Sequence, residues 1–202
     1  MSENTSAISI NLPSKYAPTK GGPSGIASSP SLEWLTRTWT VTHSTLSMWR
    51  SARNVRITYK GLPAKPDGRA RIDDLVEYEP SKKTDALKTV NGVDTEAASG
   101  GFDWRGKGWL FFVGSHWEVL GWGEATRPDG EQERWAVTWF APTIFTAEGV
   151  DVYCDRREGL SEATYRGIEE ALKKVEAKEL ADMVAKDMQP VEIKLPWIEK
   201  KN

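Results

Sequence analysis

The chain has 202 residues, with 27 lysines and arginines against 29 aspartates and glutamates and a formal net charge of −2. That length suits one domain with a substantial core, and the near balance of charge excludes a long-range pull towards nucleic acid or an anionic membrane. Cys154 is the only cysteine, which excludes an intrachain disulfide and favours a reducing compartment. Ten tryptophans, each able to bury roughly 150–250 Å², supply enough aromatic surface for a core and the wall of a ligand cavity. No apolar run approaches the roughly 20 residues that span a bilayer, and the N-terminus lacks the apolar stretch of a signal peptide. A cytoplasmic protein with no membrane span is the expectation.

Residues 1–30 are rich in Ser, Pro, Gly and Thr and read as a flexible leader, with Ile8, Ile10 and Leu12 as a docking strand if any part is ordered. Residues 31–198 form the expected domain. Ser31 or Ser29 caps one helical turn carrying Trp34 and Leu35. From Arg37 the chain alternates: Trp39, Val41 and His43 share one face, Thr40, Thr42 and Ser44 the other, which is the period of a strand. A second strand covers 53–60, with Val55, Ile57 and Tyr59 on one face. The loop GLPAKPDGR separates it from a third strand over 72–79, which carries Glu77 and Tyr78. A weaker strand spans 87–96, where Asn91-Gly92 marks a tight turn or a bulge. Residues 100–104 and 109–113 read as a pair joined by RGKG, placing Trp109 and Phe111 on one strand face. Strands over 115–122, 134–140 and 149–155 complete the set, with Trp135, Val137 and Trp139 sharing a face.

After them comes one long helix capped by Ser161, with Tyr165, Ile168, Leu172 and Val175 as its apolar stripe and Leu180, Val184 and Met188 extending it to Pro190. Val191, Ile193 and Leu195 alternate as a short strand would. Eight or so antiparallel strands must cover or close their edges. The fold class expected is therefore mostly β: a single up-and-down β-barrel of about eight strands with one C-terminal amphipathic helix packed outside.

Two stretches resemble the lipocalin family of the calycin group. Arg37-Thr38-Trp39 stands where that family has Gly-x-Trp, with Arg37 in place of the glycine. The run Tyr153-Cys154-Asp155-Arg156 followed by Leu160-Ser161-Glu162 resembles the end of the family's last barrel strand and the start of its helix. Trp117-Glu118-Val119-Leu120 and Arg134-Trp135-Ala136-Val137 are similar to its sixth and seventh strands. The resemblance implies that Arg156 packs over Trp39 and closes the barrel floor. It also implies an interior that holds a hydrophobic small molecule, in the manner of intracellular lipocalin-like proteins.

Several residues admit two readings. Trp39 is a floor residue that also meets the cavity. His43, on the same strand face, is either a satisfied polar residue or an acid–base group. Tyr59 and Tyr78 either orient a ligand or are ordinary sheet aromatics; Tyr153 is weighed with them. Val41, Ile57, Trp117 and Val119 line the wall if inward, as do the stripes of Trp109 with Phe111 and of Trp135 with Trp139, because core and ligand wall are one surface in a small barrel. His116 and Glu118 share parity and face solvent together; the opposite register would bury them as a pair. Cys154 reads as an inert buried thiol.

The chain has no phosphate loop, no dinucleotide fingerprint and no scatter of His and Cys that makes a metal site. No cofactor is expected. The first functional reading is a barrel binding a flat or polycyclic hydrophobic molecule. The second is a cofactor-independent cyclase or isomerase of pericyclase type, acting on a polyketide or terpenoid intermediate in the same cavity, with His43, Tyr59 and Tyr78 as its polar groups. A third is a barrel whose interior is packed solid.

Overall fold

A computed structural model describes residues 8–17, 29–83 and 85–200. Eight strands close into one antiparallel barrel: β1 (Thr38–Ser44), β2 (Ala52–Leu62), β3 (Arg71–Pro80), β4 (Lys88–Glu96), β5 (Phe102–Gly106), β6 (Gly114–Thr126), β7 (Gln132–Phe140) and β8 (Gly149–Cys154). Each strand pairs with its neighbour in sequence, and β1 pairs with both β2 and β8, so the sheet has no open seam. The short helix α1 (Leu32–Leu35) precedes the barrel, capped by Ser31, whose hydroxyl accepts from Trp34 N at 3.1 Å. Closure satisfies the edge groups that an antiparallel sheet otherwise exposes.

The wall separates two apolar cores. Inside stand Trp39, Val41, Val55, Ile57, Tyr59 and Trp117. Outside, Trp135, Val137 and Trp139 of β7 and Val150 and Val152 of β8 meet Ile168, Leu172, Leu180 and Val184. Those four come from two helices, α2 (Glu162–Lys173) and α3 (Lys178–Asp187). The single long helix expected from the stripe is thus broken after Lys174, where the chain turns before restarting at Lys178. Ser161 caps α2, and its backbone N–H and hydroxyl both donate to Glu133, a fully buried carboxylate of β7, at 2.9 and 2.5 Å. Arg127 adds an ion pair to Glu133 at 3.1 Å, so the buried charge is paired as it must be.

Residues 8–17 of the expected flexible leader lie along the outside of the barrel. Asn11 N donates to Leu120 O at 2.8 Å, and Ile8, Ile10 and Leu12 join the outer core. The remaining leader positions fall outside the described residues. At the other end of the chain, the stretch read as a short strand is a strap over β1 and β2. Only β9 (Gln189–Pro190) pairs with β1, and beyond it Lys194 N donates to Asn54 Oδ1 at 2.7 Å. Trp197 is held under the Arg56 and Arg157 guanidinium groups at 4.8 and 4.6 Å.

The barrel floor corrects the closure that the resemblance implied. Trp39 is fully buried and its Nε1 donates to Leu35 O at 2.9 Å. Its ring packs on Trp34 at 5.0 Å, and Trp34 in turn on Trp122 at 4.9 Å. The cation over this cluster is Arg37, at 5.3 Å from Trp34 and 5.4 Å from Trp39. Arg156 points to solvent instead and pairs with Glu131 and Glu158 at 3.0 and 2.9 Å. Arg37 occupies the family's glycine position and so reaches the indoles from the first strand's own start. Arg37→Ala is expected to lower stability by about 0.5–2 kcal/mol, the worth of a cation over an aromatic face, whereas Arg156→Ala leaves the unfolding midpoint in place. Urea unfolding of the two variants checks this, and the reverse order would return the floor to Arg156.

Candidate functional site

The loops between β1 and β2, β3 and β4, β5 and β6, and β7 and β8 surround the end opposite the floor. Below them lies a cavity of about 180 Å³, the space of roughly six waters, walled by Ile57, Tyr59, Val76, Trp104, Trp117 and Phe140. Tyr59 and Trp117 stack at 5.5 Å with nearly parallel rings, and Phe102 stacks on Trp117 at 4.8 Å. A larger groove of about 300 Å³ lies outside the mouth, between Thr45–Met48, Phe145–Glu148 and α3. It is separate from the barrel interior.

Trp104 fits because Gly92 has no side chain: a Cβ there would overlap the indole. Asn91 and Gly92 pair regularly with Leu75 and Asp74, so this spot is neither the turn nor the bulge that the sequence suggested.

The structure distributes the sequence-based candidates over three places. Trp39, Val41, Ile57, Tyr59, Trp117 and Val119 point inward, and Tyr78 packs at the mouth edge-on to Trp49 at 5.4 Å. Of these, Ile57, Tyr59 and Trp117 line the cavity. His43, Trp135 and Trp139 lie on the outer face. A bulge between Val41 and His43 inserts Thr42 as an extra residue against β8 and reverses the alternation expected there. His43 therefore leaves the interior and stacks on Tyr165 of α2, with ring centroids 3.4 Å apart. Burial lowers its pKa to about 4, with Glu162 and Glu169 pulling weakly the other way, so it is neutral at pH 7 and remote from the cavity.

Trp109 and Phe111 are on no strand. Residues 107–113 form the loop between β5 and β6, turned by Gly108 at φ +61°, and the two side chains are 76% and 69% exposed. His116 and Glu118 face outward together, 3.2 Å apart, and the hydrogen bond that the imidazole donates to Glu118 raises the His116 pKa. Cys154 is buried, which pushes its thiol up to about 12.

What the sequence reading missed is acidic. Asp74, Asp94 and Asp151 stand at inward positions of β3, β4 and β8, respectively 7%, 0% and 2% exposed. Parity held the signal: Asp74 alternates with Ile72 and Val76, and Asp151 with Tyr153. Trp117 Nε1 donates to Asp94 Oδ1 at 2.8 Å, and the Ser44 hydroxyl donates to Asp151. Asp74 Oδ1, Asp94 Oδ2, Tyr153 Oη and Trp49 Nε1 are buried without a hydrogen-bond partner. No lysine, arginine or histidine is among the described residues lining the cavity. Burial pushes Asp94 and Asp151 up to about 7 each. Burial raises Asp74 well above the carboxylate range, the charges of Asp94 and Asp73 add to this, and the Trp104 indole N–H pulls the other way. The interior is thus an aromatic cage whose carboxyls are held towards their protonated forms by burial.

Among the described residues no group of His, Cys, Asp and Glu is arranged to hold a metal ion, and no helix is long and apolar enough to cross a membrane. No protein-family model matches the chain, and no curated protein matches it. Solved structures do. Apocrustacyanin C2 is similar at a TM-score of 0.56 and 10% identity, covering 82% of this chain and 81% of that one. Lobster apocrustacyanin A1 is similar at 0.52 and 10%, again covering 82% and 81%. At that identity the likeness is one of fold, and it shows a lipocalin-like barrel.

The raised carboxyls make folding depend on pH. Asp94 ionises near 4 in the unfolded chain but near 7 when folded. Its contribution to stability is therefore fully present below about pH 4 and is lost as pH rises to about 7. Asp151 acts in the same direction and His43, with its lowered pKa, in the opposite one. Asp94→Asn keeps an acceptor for Trp117 and removes the ionisation. It is expected to raise the unfolding midpoint at pH 8 relative to the parent and to leave it unchanged at pH 3.5; equal midpoints at both pH values would mean that Asp94 ionises freely.

Proposed function

We propose that the barrel binds a hydrophobic small molecule in the mouth-side cavity. The observation that carries this reading is the aromatic wall of Tyr59, Trp104 and Trp117 around an unfilled space that opens between the loops. The volume of about 180 Å³ favours a compact, flat molecule over a large polycycle and argues against the solidly packed interior. Apolar walls give affinity through burial at roughly 25 cal/mol per Å², and a few convergent polar groups give orientation. Exposed Trp109, Phe111, Phe112, Ile144 and Phe145 on the surrounding loops supply an apolar approach to the opening. The setting is that of an intracellular lipocalin-like protein.

The enzyme reading keeps one favouring observation. The Asp74 carboxyl, held towards its protonated form by burial in an aromatic cavity, polarises a bound substrate as an acid does, and a cofactor-independent isomerase or cyclase would use it in place of His43.

Tryptophan fluorescence with isopropenylnaphthalene as the probe tests the binding site. Val76→Phe fills the cavity and is expected to weaken binding at least tenfold, while Trp109→Ser on the exposed loop changes it less than twofold. Unchanged affinity in Val76→Phe would move the site to the outer surface and overturn the reading.

A further inference from the structure

The cavity contains more hydrogen-bonding capacity than the protein uses. Asp74 lines it, is 93% buried, since its exposure is 7%, and leaves Oδ1 without a partner. Trp49 also lines it, and its indole N–H is directed at Asp151, holding that carboxyl's pKa down against burial, but lies outside full hydrogen-bond geometry. A buried polar group without a partner is costly, so each is an unfilled position in a mostly apolar wall. Resting on the reading of this cavity as a small-molecule site, we propose that its ligand carries a carbonyl oxygen. Asp74, holding its proton, and the Trp49 N–H donate to that oxygen, while the aromatic rings take the apolar body.

Three chemistries compete, and the groups present choose among them. An anionic ligand meets Asp74 and Asp151, with no lysine, arginine or histidine among the described residues lining the cavity to offset them. A protonated amine suits an ionised Asp74 but cannot accept from Trp49, whose N–H only donates. A carbonyl offers lone pairs alone, so it satisfies both donors and brings no donor that needs an acceptor. The surroundings keep Asp74 protonated. Tyr59 of β2 stands directly across from it, Asp94 faces it from β4, Asp73 flanks it on β3, and Tyr153 and Asp151 approach from β8. None of these is a cation. Asp74 acts as a ligand-binding donor. The same contact would polarise the carbonyl, which is the first requirement of acid-assisted enolisation or ring closure.

The test uses three matched probes on the full chain: acetylnaphthalene, isopropenylnaphthalene and naphthylethylamine. They share one ring system and differ in bearing a carbonyl, an alkene or an amine. The ketone is expected to bind about tenfold more tightly than the alkene at pH 6. Its affinity should fall as pH rises past the ionisation of Asp74, while that of the alkene stays level. Asp74→Asn retains an N–H donor and should keep the preference for the ketone while losing the pH dependence. Asp74→Leu should lose the preference and still bind the alkene, which also shows that the variant has folded. Equal binding of ketone and alkene by the parent protein would overturn the carbonyl site and leave the cavity reading standing. An amine that binds most tightly, and more so as pH rises, would make Asp74 a carboxylate receptor and overturn it too. Failure of all three probes would overturn the cavity reading itself.

Discussion

The wall of β7 and β8 must be buried on both faces, and most of the architecture answers that constraint. A barrel strand that met only solvent outside would alternate apolar and polar residues. Here β7 and β8 carry Trp135, Val137, Trp139, Val150 and Val152 outward, so a second layer has to cover them. The layer is α2 and α3, extended by residues 8–17, and Glu133 ties its start to the wall through Ser161. Full burial of each aliphatic side chain in that layer is worth roughly 1.5–3 kcal/mol. The outer core therefore stabilises the barrel without consuming interior volume, and the interior remains free to be incompletely filled.

Two bulges decide which side chains serve which core. Thr42 is the extra residue in β1 and Leu120 in β6. The first turns His43 outward and brings Ser44 in against Asp151; the second sends Leu120 to the outer core and returns Trp122 to the floor beside Trp34. Both lie on the covered side of the barrel, where strict alternation would put polar atoms under a helix or indoles in solvent. His43 shows the outcome: a half-buried neutral ring stacked on Tyr165, with Thr42 Oγ1 at 3.2 Å from its Nδ1.

Much of this was legible in the sequence because it rests on pattern. Alternation placed the strands, the Ser161 cap and the three-and-four spacing placed the helical layer, and the edge problem required closure. Inward parity of Ile57, Tyr59 and Trp117 was readable for the same reason. A bulge, by contrast, leaves no mark in composition, so His43 was assigned to the wrong face. A strand apolar on both sides does not say which side is the cavity, which is why Trp135 and Trp139 looked like ligand wall. The run from Gly108 to Val113 is as apolar as a strand, yet Gly108 adopts a conformation that breaks one, leaving Trp109 and Phe111 on a loop. The acids were passed over because a charge on a strand is ordinarily taken as the wet face. Their parity said otherwise, and only the closed barrel shows that Asp74 neighbours Asp94 across β3 and β4 and shares the cavity wall with Asp151.

Gly92 gives the interior its capacity by subtraction. The Trp104 indole lies in the depression that the missing side chain leaves in β4, and so stays back from the centre of the barrel. One methyl group at that position would push a two-ring side chain into the space a ligand needs. A barrel with an open interior and one packed solid are thus one residue apart. A lineage carrying this fold can open or close its interior at a single site while the floor, the bulges and the helical cover stay as they are.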